Sequence, residues 1–461
     1  MLSSPDTTDG VPTTIACPLV PTIHNMDLVL PDKFKLYLEE AVGSADCGAV
    51  LEALSSDESV VSIRLNPFKP IAEEIDSVVN MAKRENAQIP WCRDGYYLKE
   101  RPDFTLDPTL HAGAYYVQDA SSMFLSLMEP LIKSKRAILD LCAAPGGKST
   151  HLISMKAPEA RFTANEVIRS RYSILKENLS KWGDHSVEVI SLDPADFNNI
   201  ISKNKNSNDR LYDLIVVDAP CSGEGLFRKD KGAIEEWSED NVKLCAARQR
   251  RILSDIWNSL APDGHLVYST CTFNKYENEE NILWLVEEYD AEIVPIEQIA
   301  GSLLSTINRW GIRRSDVAGY RFLPGIVKGE GQFFALIRKG GIQKDDNMSE
   351  ISILKNKREK THKNTHVGKS KSQSHKKKTE VIQPEVEDAL AVDYNGEYPS
   401  VELSKLDALK YLSREAIVLK DAPLGYLRVT YGGLGLGFVK NIGSRANNLY
   451  PIGWRIRKSR F

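Results

Sequence analysis

The stretch LDLCAAPGGKSTHL, residues 139–152, decides the fold. It begins as a short apolar run, passes through small residues and the glycines Gly146 and Gly147, and continues as a helical pattern. Glycines at such a turn let the backbone approach a ligand closely, and the first N–H groups of the following helix stay free to bind it. The stretch therefore predicts a strand, a ligand-binding loop and a helix in direct succession.

Strand-like and helix-like segments alternate on both sides of this loop, across residues 111–340. Short apolar runs are typical of buried parallel strands, and here they are ILDLCAA, ARFTANEV, SVEVISLD, YDLIVVDAP and HLVYSTC. The helical patterns between them are KSTHLISM, RSRYSILKENLSKW and NVKLCAARQRRILSDIWNSL. A last stretch, YRFLPGIVKGEGQFFALIRK, predicts an antiparallel hairpin at the sheet edge. Together they predict a doubly wound, Rossmann-like α/β sheet with its ligand beyond the carboxyl ends of the strands.

Two common nucleotide-binding loops fit the stretch poorly. GKS is present, but a phosphate-binding loop requires glycine at position 142, where the chain has Cys142. The dinucleotide spacing G-x-G-x-x-G is absent as well. A loop that grips phosphate is therefore not predicted.

Acidic residues end the next two predicted strands. Glu166 lies 18 residues after Lys148, close to the spacing of about 20 at which an acid binds ribose hydroxyls in such folds. Asp193 ends the third strand. Taken singly, each is more often a solvated surface carboxylate. At successive strand ends they indicate an adenosine-type ligand, and the absence of a phosphate-gripping loop favours S-adenosylmethionine as that ligand.

Two cysteines follow the next two predicted strands. Asp218 and Cys221 lie in DAPCSGEG, and Cys271 lies in YSTCTFN. A lone cysteine is usually an inert packing residue, which is how Cys92, Cys142 and Cys245 are interpreted, although the backbone of Cys142 is expected to touch the cofactor. Two thiols on the ligand side of adjacent strands predict a reactive pair.

Paired thiols beside S-adenosylmethionine favour methylation of a pyrimidine ring carbon. Carbon 5 of cytosine is a poor nucleophile until a thiolate adds at carbon 6 and forms an enamine, which is covalent catalysis. A base must then remove the carbon 5 proton. Methylation of oxygen needs no thiol. The spacing alone does not choose which of the two thiols is the nucleophile.

The composition excludes several classes of protein. No run approaches the roughly 18 apolar residues of a membrane helix, and residues 1–26 lack the basic and apolar blocks of a secretion signal. The seven cysteines are an odd number without a C-x-x-C pair, so neither a disulfide framework nor a cysteine-based metal site is predicted. We expect a cytoplasmic protein without metal or membrane contact, and a monomer by default.

The chain divides by composition into five segments. They are a disordered N-terminus (1–27), a small N-terminal domain (28–110), the α/β domain (111–340), a linker (341–384) and a β-rich domain (385–461). Between Lys355 and Lys378 the linker carries ten Lys or Arg residues against one acid, which suits either a solvated spacer or an RNA tether. Strands are predicted in YLSREAIVLK, GYLRVTYGGLGLGFVKNIG and NLYPIGWRIRKSRF, and the basic and aromatic tail suits nucleic acid.

The start of the chain carries one further hypothesis. Met26 opens the first globular pattern and is the more credible initiator. A peptide containing Cys17 in mass spectra of the native protein would contradict this.

Four motifs resemble a known family. DLCAAPGGKS, NEVIRSR, DAPCSGEG and STCTFNKYENE resemble the Nop/Sun family of RNA cytosine carbon-5 methyltransferases, as do IPWCRDGYYL and AGAYYVQDASSM. The resemblance covers about residues 28–340, and GEGLFRKD is most similar to the bacterial RsmF subgroup, which modifies small-subunit ribosomal RNA. It implies a class I methyltransferase sheet of seven strands, a small N-terminal α+β RNA-binding domain and a C-terminal PUA-like domain.

The resemblance also implies a role for each matched residue. The loop would hold the methionine end of S-adenosylmethionine through Cys142, Ala143, Ala144, Pro145, Gly146, Gly147 and Lys148. Glu166 would bind the ribose, Asp193 the adenine side, and Asp218 would lie between the cofactor and the cytosine. Cys271 matches the nucleophile and Cys221 the cysteine that assists product release. Pro194 departs from the glycine that many relatives have after the third acid.

The sequence thus predicts an S-adenosylmethionine-dependent RNA methyltransferase that forms 5-methylcytosine in 16S ribosomal RNA or the small subunit. A transfer RNA substrate is the near alternative. A ribosome-assembly factor that binds RNA without catalysis is the alternative from another class, although a pure binder needs no reactive thiols.

Overall fold

The computed structural model describes residues 30–56, 60–197, 211–300, 304–340 and 383–457. The predicted disordered N-terminus, the proposed start at Met26 and nearly all of the predicted linker lie outside these residues. Three sheets with their helices make up the described chain. Nowhere in those ranges does a helix have the length and apolar content needed to cross a membrane.

The first sheet belongs to the N-terminal domain. Its antiparallel strands have the order β2-β1-β3. The strands are β1 (Val61–Leu65), β2 (Gly95–Leu98) and β3 (Tyr115–Val117), and the helices are α1 (Asp32–Ser55), α2 (Val78–Glu85) and α3 (Pro108–His111).

Helix α1 is longer than the sequence predicts. The pattern places its end at Gly43, but the chain leaves helical geometry only at that residue (φ 78°, ψ 160°) and resumes the helix to Ser55. Cys47, Val50 and Leu54 are buried in this second half. Their burial at helical spacing explains why the helix continues beyond a glycine.

The central sheet carries the predicted α/β fold. Its strands are β4 (Ala137–Asp140), β5 (Arg161–Asn165), β6 (Val187–Ile190), β7 (Tyr212–Asp218), β8 (Leu260–Thr270), β9 (Ala291–Ile293), β10 (Arg313–Arg314), β11 (Tyr320–Phe322) and β12 (Gln332–Lys339). The order β6-β5-β4-β7-β8-β12-β11 is the expected core of seven strands, to which β10 and β9 add at β11 and β12. Strands β4 to β8 pair in parallel and the predicted hairpin β11–β12 is antiparallel. The class I methyltransferase fold is therefore confirmed.

The helices of this domain cover both faces of the sheet. They are α4 (Glu129–Lys133), α5 (Gly147–Met155), α6 (Arg169–Trp182), α7 (Lys231–Glu236), α8 (Glu239–Trp257), α9 (Glu279–Glu288), α10 (Glu297–Ala300) and α11 (Leu304–Arg309). Helix α6 spans the same residues as its predicted pattern. Helix α8 stops at Trp257 because β8 already begins at Leu260, earlier than predicted.

The C-terminal domain is partly helical. Its elements are α12 (Val386–Leu390), β13 (Ser400–Glu402), α13 (Lys405–Leu412), β14 (Gly425–Tyr431), β15 (Leu434–Asn441) and β16 (Ala446–Asn448). The predicted hairpin is present as β14–β15. The strand predicted from Tyr411 to Lys420 is wrong, because Tyr411 and Leu412 close a helix whose apolar residues are buried.

The C-terminal tail also differs from its prediction. Up to residue 457, where the described tail ends, Ala446–Asn448 is its one strand, and a single helical turn follows over Ile452–Trp454. Tyr450 is fully buried, and Trp454 is half-buried beneath the Lys181 ammonium group, 5.4 Å from the ring centre. Tyr450 is therefore a core residue, and Trp454 packs only in part.

The three domains meet at the C-terminal end of α6. Lys69 of the N-terminal domain donates to the carbonyl oxygens of Ala112 (2.9 Å) and Lys181 (2.6 Å), and burial lowers the pKa of Lys69 to about 7. The C-terminal segment joins them through Val392, whose N–H donates to the oxygen of Gly183 (3.1 Å). This end of α6 is therefore a common anchor for all three domains.

The C-terminal domain also contacts the N-terminal domain directly. Lys405 pairs with the Asp76 carboxylate at 2.6 Å, and the Tyr431 hydroxyl donates to the Asp76 carbonyl at 3.1 Å. Ala112 packs in the apolar core of the C-terminal domain. These contacts position the C-terminal sheet by packing.

Replacing Gly113 with alanine tests the anchor. Gly113 has φ +74°, and an added Cβ would lie 1.7 Å from the Lys181 oxygen. We expect Gly113→Ala to lower the free energy of unfolding by on the order of 2 kcal/mol more than Gly433→Ala. Gly433 is the matched control, because it has φ +78° with open space around its Cβ position. Equal urea midpoints for the two variants would contradict the steric argument.

Candidate active site

The predicted site residues lie at the carboxyl ends of the parallel strands. The strand order reverses beside β4, which has β5 on one side and β7 on the other. This switch point is where doubly wound sheets open a ligand crevice. The loop 142–148 leaves β4 there, with Glu166 just beyond β5 and Asp218 at the end of β7.

Helix α6 holds the loop from below. Arg171 donates to the Ala144 oxygen (2.6 Å) and Asn178 donates to the Pro145 oxygen (2.8 Å). Gly146, at φ +111°, turns the chain into α5. The sequence reasoning missed both α6 side chains, although Arg171 lies within the quoted motif NEVIRSR.

Glu166 presents a carboxylate oxygen suited to a ribose hydroxyl. Its Oε1 accepts the N–H of Ile168 at 2.9 Å. Its Oε2 is buried and accepts no hydrogen bond from the residues that the structure describes, although Arg171 Nη1 lies 3.6 Å away. A hydroxyl donor from a ligand would satisfy that oxygen, so the residues present fit an adenosine cofactor.

Asp140 lies fully buried at the end of β4. Its Oδ2 accepts the Ser149 hydroxyl at 2.6 Å, and burial raises its pKa to about 7. Burial likewise raises the pKa of the nearby Cys142 thiol, and the negative charges of three neighbouring carboxylates raise it further. Cys142 therefore stays a neutral thiol.

Asp193 is the most exposed of the predicted carboxylates at the strand ends. Its side chain is 44% exposed, and Arg251 lies 3.9 Å from its Oδ2. Its Oδ1 accepts the Ala195 N–H at 3.1 Å, at the start of a helical turn that opens with Pro194. The proline thus fits the first position of that turn, and the adenine role of Asp193 stays a prediction.

Asp218 is paired across the crevice with Lys148. Lys148 Nζ lies 2.8 Å from Asp218 Oδ2, and the Ser269 hydroxyl donates to Oδ1 at 2.8 Å. The lysine comes from the start of α5 and the carboxylate from the end of β7. The pair therefore connects the cofactor loop with the strand that leads to Cys221.

The two predicted thiols are in contact. Cys221 Sγ and Cys271 Sγ lie 3.3 Å apart, and both residues are partly exposed. The contact with Cys271, together with desolvation, raises the pKa of Cys221 well above its ordinary value. The raised pKa favours the protonated form of Cys221, whereas the 3.3 Å contact by itself lets either sulfur donate. Cys92 and Cys245 are buried, as expected of packing residues.

Two buried glutamates bind the thiol loops to each other. Glu277, from the loop after Cys271, accepts the Ser222 N–H at 3.0 Å. Glu224, from the loop after Cys221, accepts the N–H groups of Phe273 (2.7 Å) and Asn274 (3.0 Å). Each loop thus supplies the carboxylate that fixes the backbone of the other.

Further hydrogen bonds connect Glu224 and Glu277 with each other and with helix α8. Asn274 Nδ2 bridges Glu277 Oε1 (2.8 Å) and Glu224 Oε1 (3.0 Å), and Gln249 donates to Glu277 Oε2 at 2.8 Å. Desolvation and the neighbouring Glu224 raise the pKa of Glu277 to about 7. The sequence reasoning missed all four residues. The density of polar residues in STCTFNKYENE was a signal for Asn274 and Glu277, whereas Glu224 and Gln249 lie outside that segment.

Three family models match the chain in succession. They describe the N-terminal domain of the 16S rRNA methyltransferase RsmF (residues 30–120), the 16S rRNA methyltransferase RsmB/F (127–338) and the methyltransferase RsmF PUA domain (398–456). The chain belongs to the RsmB/RsmF methyltransferase family. It is accordingly an S-adenosylmethionine-dependent RNA methyltransferase with a C-terminal PUA domain.

Similar proteins extend over most of the chain. The ribosomal RNA small subunit methyltransferase F of Enterobacter sp. is 28% identical over 91% of this chain and 95% of its own length. Its counterpart from Salmonella agona is 32% identical over 67% of this chain and 63% of its own length. A methyltransferase homolog from Pyrococcus horikoshii has a solved structure that is 25% identical and has a TM-score of 0.54, over 68% of this chain and 96% of that one.

The described residues contain no cluster of three or more His, Cys, Asp or Glu side chains arranged to hold a metal ion. The cofactor of the family, S-adenosylmethionine, is organic. Loop 142–148, Glu166 and Asp218 are the residues that would hold it.

Replacing Glu166 tests the cofactor site. Glu166→Gln exchanges one carboxylate oxygen for an amide, and a lost hydrogen bond to a charged group should weaken S-adenosylmethionine binding by about 10- to 100-fold. Isothermal titration calorimetry measures this directly. Glu188→Gln is the control, because Glu188 is an exposed carboxylate on the neighbouring strand β6. Unchanged affinity in Glu166→Gln would remove Glu166 from the cofactor site.

Proposed function

We propose that the protein forms 5-methylcytosine in 16S ribosomal RNA through a covalent bond between Cys271 and carbon 6 of the cytosine. The observation that carries the proposal is the 3.3 Å contact between the Cys221 and Cys271 sulfurs. It lies beyond the adjacent strands β7 and β8, next to the pair of Lys148 and Asp218. Methylation of oxygen or of an exocyclic amine has no use for two thiols in that position.

The proton on Cys221 supports the choice of Cys271 as nucleophile. A thiolate, and not a thiol, attacks carbon. The raised pKa of Cys221 favours its protonated form, and a protonated Cys221 at 3.3 Å can donate to the Cys271 sulfur. A hydrogen bond from Cys221 would stabilise negative charge on Cys271, which supports the order of roles that the family resemblance implies.

The proposed reaction begins with addition to the ring. The Cys271 thiolate forms an S–C6 bond, and the electrons of the C5–C6 double bond move onto carbon 5 and into the ring. When bound, S-adenosylmethionine supplies an electrophilic methyl group for carbon 5. A base then removes the proton of carbon 5, the double bond forms again, and the S–C6 bond breaks to release the thiolate.

Cys221 fits the role of that base once the adduct exists. The contact with Cys271 is the largest cause of its raised pKa. That cause disappears when Cys271 becomes an uncharged thioether, which lowers the pKa of Cys221 although desolvation still raises it. Once Cys221 has lost its proton to solvent, its thiolate can take the proton of carbon 5. The same residue thus protects the nucleophile before addition and assists release afterwards.

The RNA substrate is proposed from the family and its domains. The relatives are named as small-subunit ribosomal RNA methyltransferases, and the chain has a PUA domain beside its catalytic sheet. The target cytosine must be unpaired or flipped out for a thiol to reach carbon 6. A cytoplasmic monomer stays a prediction.

Two cysteine variants test the chemistry. We expect Cys271→Ala to abolish methylation while binding S-adenosylmethionine normally, because only the nucleophile is lost. Cys221→Ala should instead accumulate a protein–RNA adduct, visible on a denaturing gel, because addition proceeds and release does not. Methylation near the wild-type rate in Cys271→Ala would show that the nucleophile is another residue.

Bisulfite sequencing tests the substrate. In cells that lack the gene we expect one protected cytosine of 16S ribosomal RNA to become convertible, while transfer RNA is unchanged. Loss of a transfer RNA site instead would keep the chemistry and exclude the ribosomal substrate. No change at any cytosine would contradict 5-methylcytosine as the product.

A further inference from the structure

We propose that Glu277 is a positioning residue that fixes Cys221 against Cys271, so that its loss stalls the enzyme as a covalent protein–RNA adduct. The inference rests on the proposed function. It assigns control of product release to a residue that the reacting atoms never touch. Glu277 is fully buried behind the thiol loops.

Glu277 acts on the loop of Cys221 from both sides of the cysteine. On one side, the N–H of Ser222 donates to Glu277 Oε2 at 3.0 Å and its hydroxyl contacts Oε1 at 2.5 Å. On the other side, Gln249 Nε2 binds both Glu277 Oε2 (2.8 Å) and the carbonyl oxygen of Pro220 (3.0 Å). The Glu277 carboxylate therefore holds the residue after Cys221 directly and the residue before it through Gln249.

Cys271 is held by other means. It directly follows β8, which pairs with β7 on one side and β12 on the other. Its carbonyl accepts the N–H of Gly225 at 2.7 Å, and the two residues after Thr272 bind Glu224. Loss of Glu277 should consequently displace Cys221 more than Cys271.

The site requires a carboxylate and rejects an amide. Asn274 donates to Oε1, whereas Ser222 and Gln249 donate to Oε2. Both oxygens thus face nitrogen donors, and a glutamine in either orientation would turn its own NH₂ group against one of them. Because the group is buried, solvent does not compensate for this clash of donors.

The test compares turnover with adduct formation in Glu277→Gln. A displacement of about 1 Å at Cys221 should lower steady-state methylation by about 100-fold. The yield of covalent adduct in a single turnover should stay within a few-fold of Cys221→Ala, and S-adenosylmethionine affinity should be unchanged. A general loss of structure would lower turnover, adduct yield and cofactor affinity together. Loss of turnover with retained adduct yield and retained cofactor affinity therefore identifies a positioning role.

Two further variants complete the design. Gln249→Met removes the donor to Glu277 and to Pro220 while keeping the length of the side chain. It should also lower turnover while retaining adduct formation, with a smaller decrease in turnover than in Glu277→Gln. It decides the matter if Glu277→Gln does not fold. Glu297→Gln is the control, because Glu297 accepts the Tyr320 hydroxyl at 2.6 Å in a different part of the fold. It should retain wild-type turnover without trapped adduct.

The outcomes separate this inference from the proposed function. Wild-type turnover in Glu277→Gln, or loss of adduct there while Cys221→Ala still traps it, would overturn the positioning role and leave the reaction standing. Absence of adduct in Cys221→Ala together with methylation in Cys271→Ala would overturn the reaction itself.

Discussion

The active site depends on one constraint: each thiol loop supplies a buried glutamate that accepts backbone N–H groups of the other loop. Strands β7 and β8 bring the ends of both loops to one edge of the sheet, but strand pairing ends at Asp218 and Thr270. Beyond those residues, Glu224 and Glu277 take over the role of the sheet hydrogen bonds. Burying two carboxylates side by side is unfavourable by itself. It is tolerated here because backbone and amide N–H groups converge on both of them.

A second constraint runs along α6. Arg171 and Asn178 hold the cofactor loop, and the end of the same helix binds Lys69 and the segment after α12. One rigid element of 14 residues therefore connects the cofactor loop with the meeting point of the three domains. Helix α6 consequently fixes the position of the cofactor loop relative to the N-terminal and C-terminal domains.

Sequence reasoning reached the sheet because parallel strands and amphipathic helices leave local periodic patterns, as in α6 and β7. It also found the residues at strand ends, since their positions follow from the strands. It failed where distant side chains decide the structure. Glu224 and Glu277 gain their meaning only from hydrogen bonds across loops about 50 residues apart. Tyr411 and Tyr450 looked like parts of strand and surface segments, and only packing of the C-terminal core shows them to be interior residues.

The packing of the C-terminal sheet against the N-terminal domain determines how the PUA domain is presented. When a flexible segment joins two binding modules, its length sets their effective concentration for one another. Here Asp76, Lys405 and Tyr431 set that geometry instead. The distance between the PUA domain and the catalytic thiols is therefore fixed by packing, so RNA that contacts both must span that one distance.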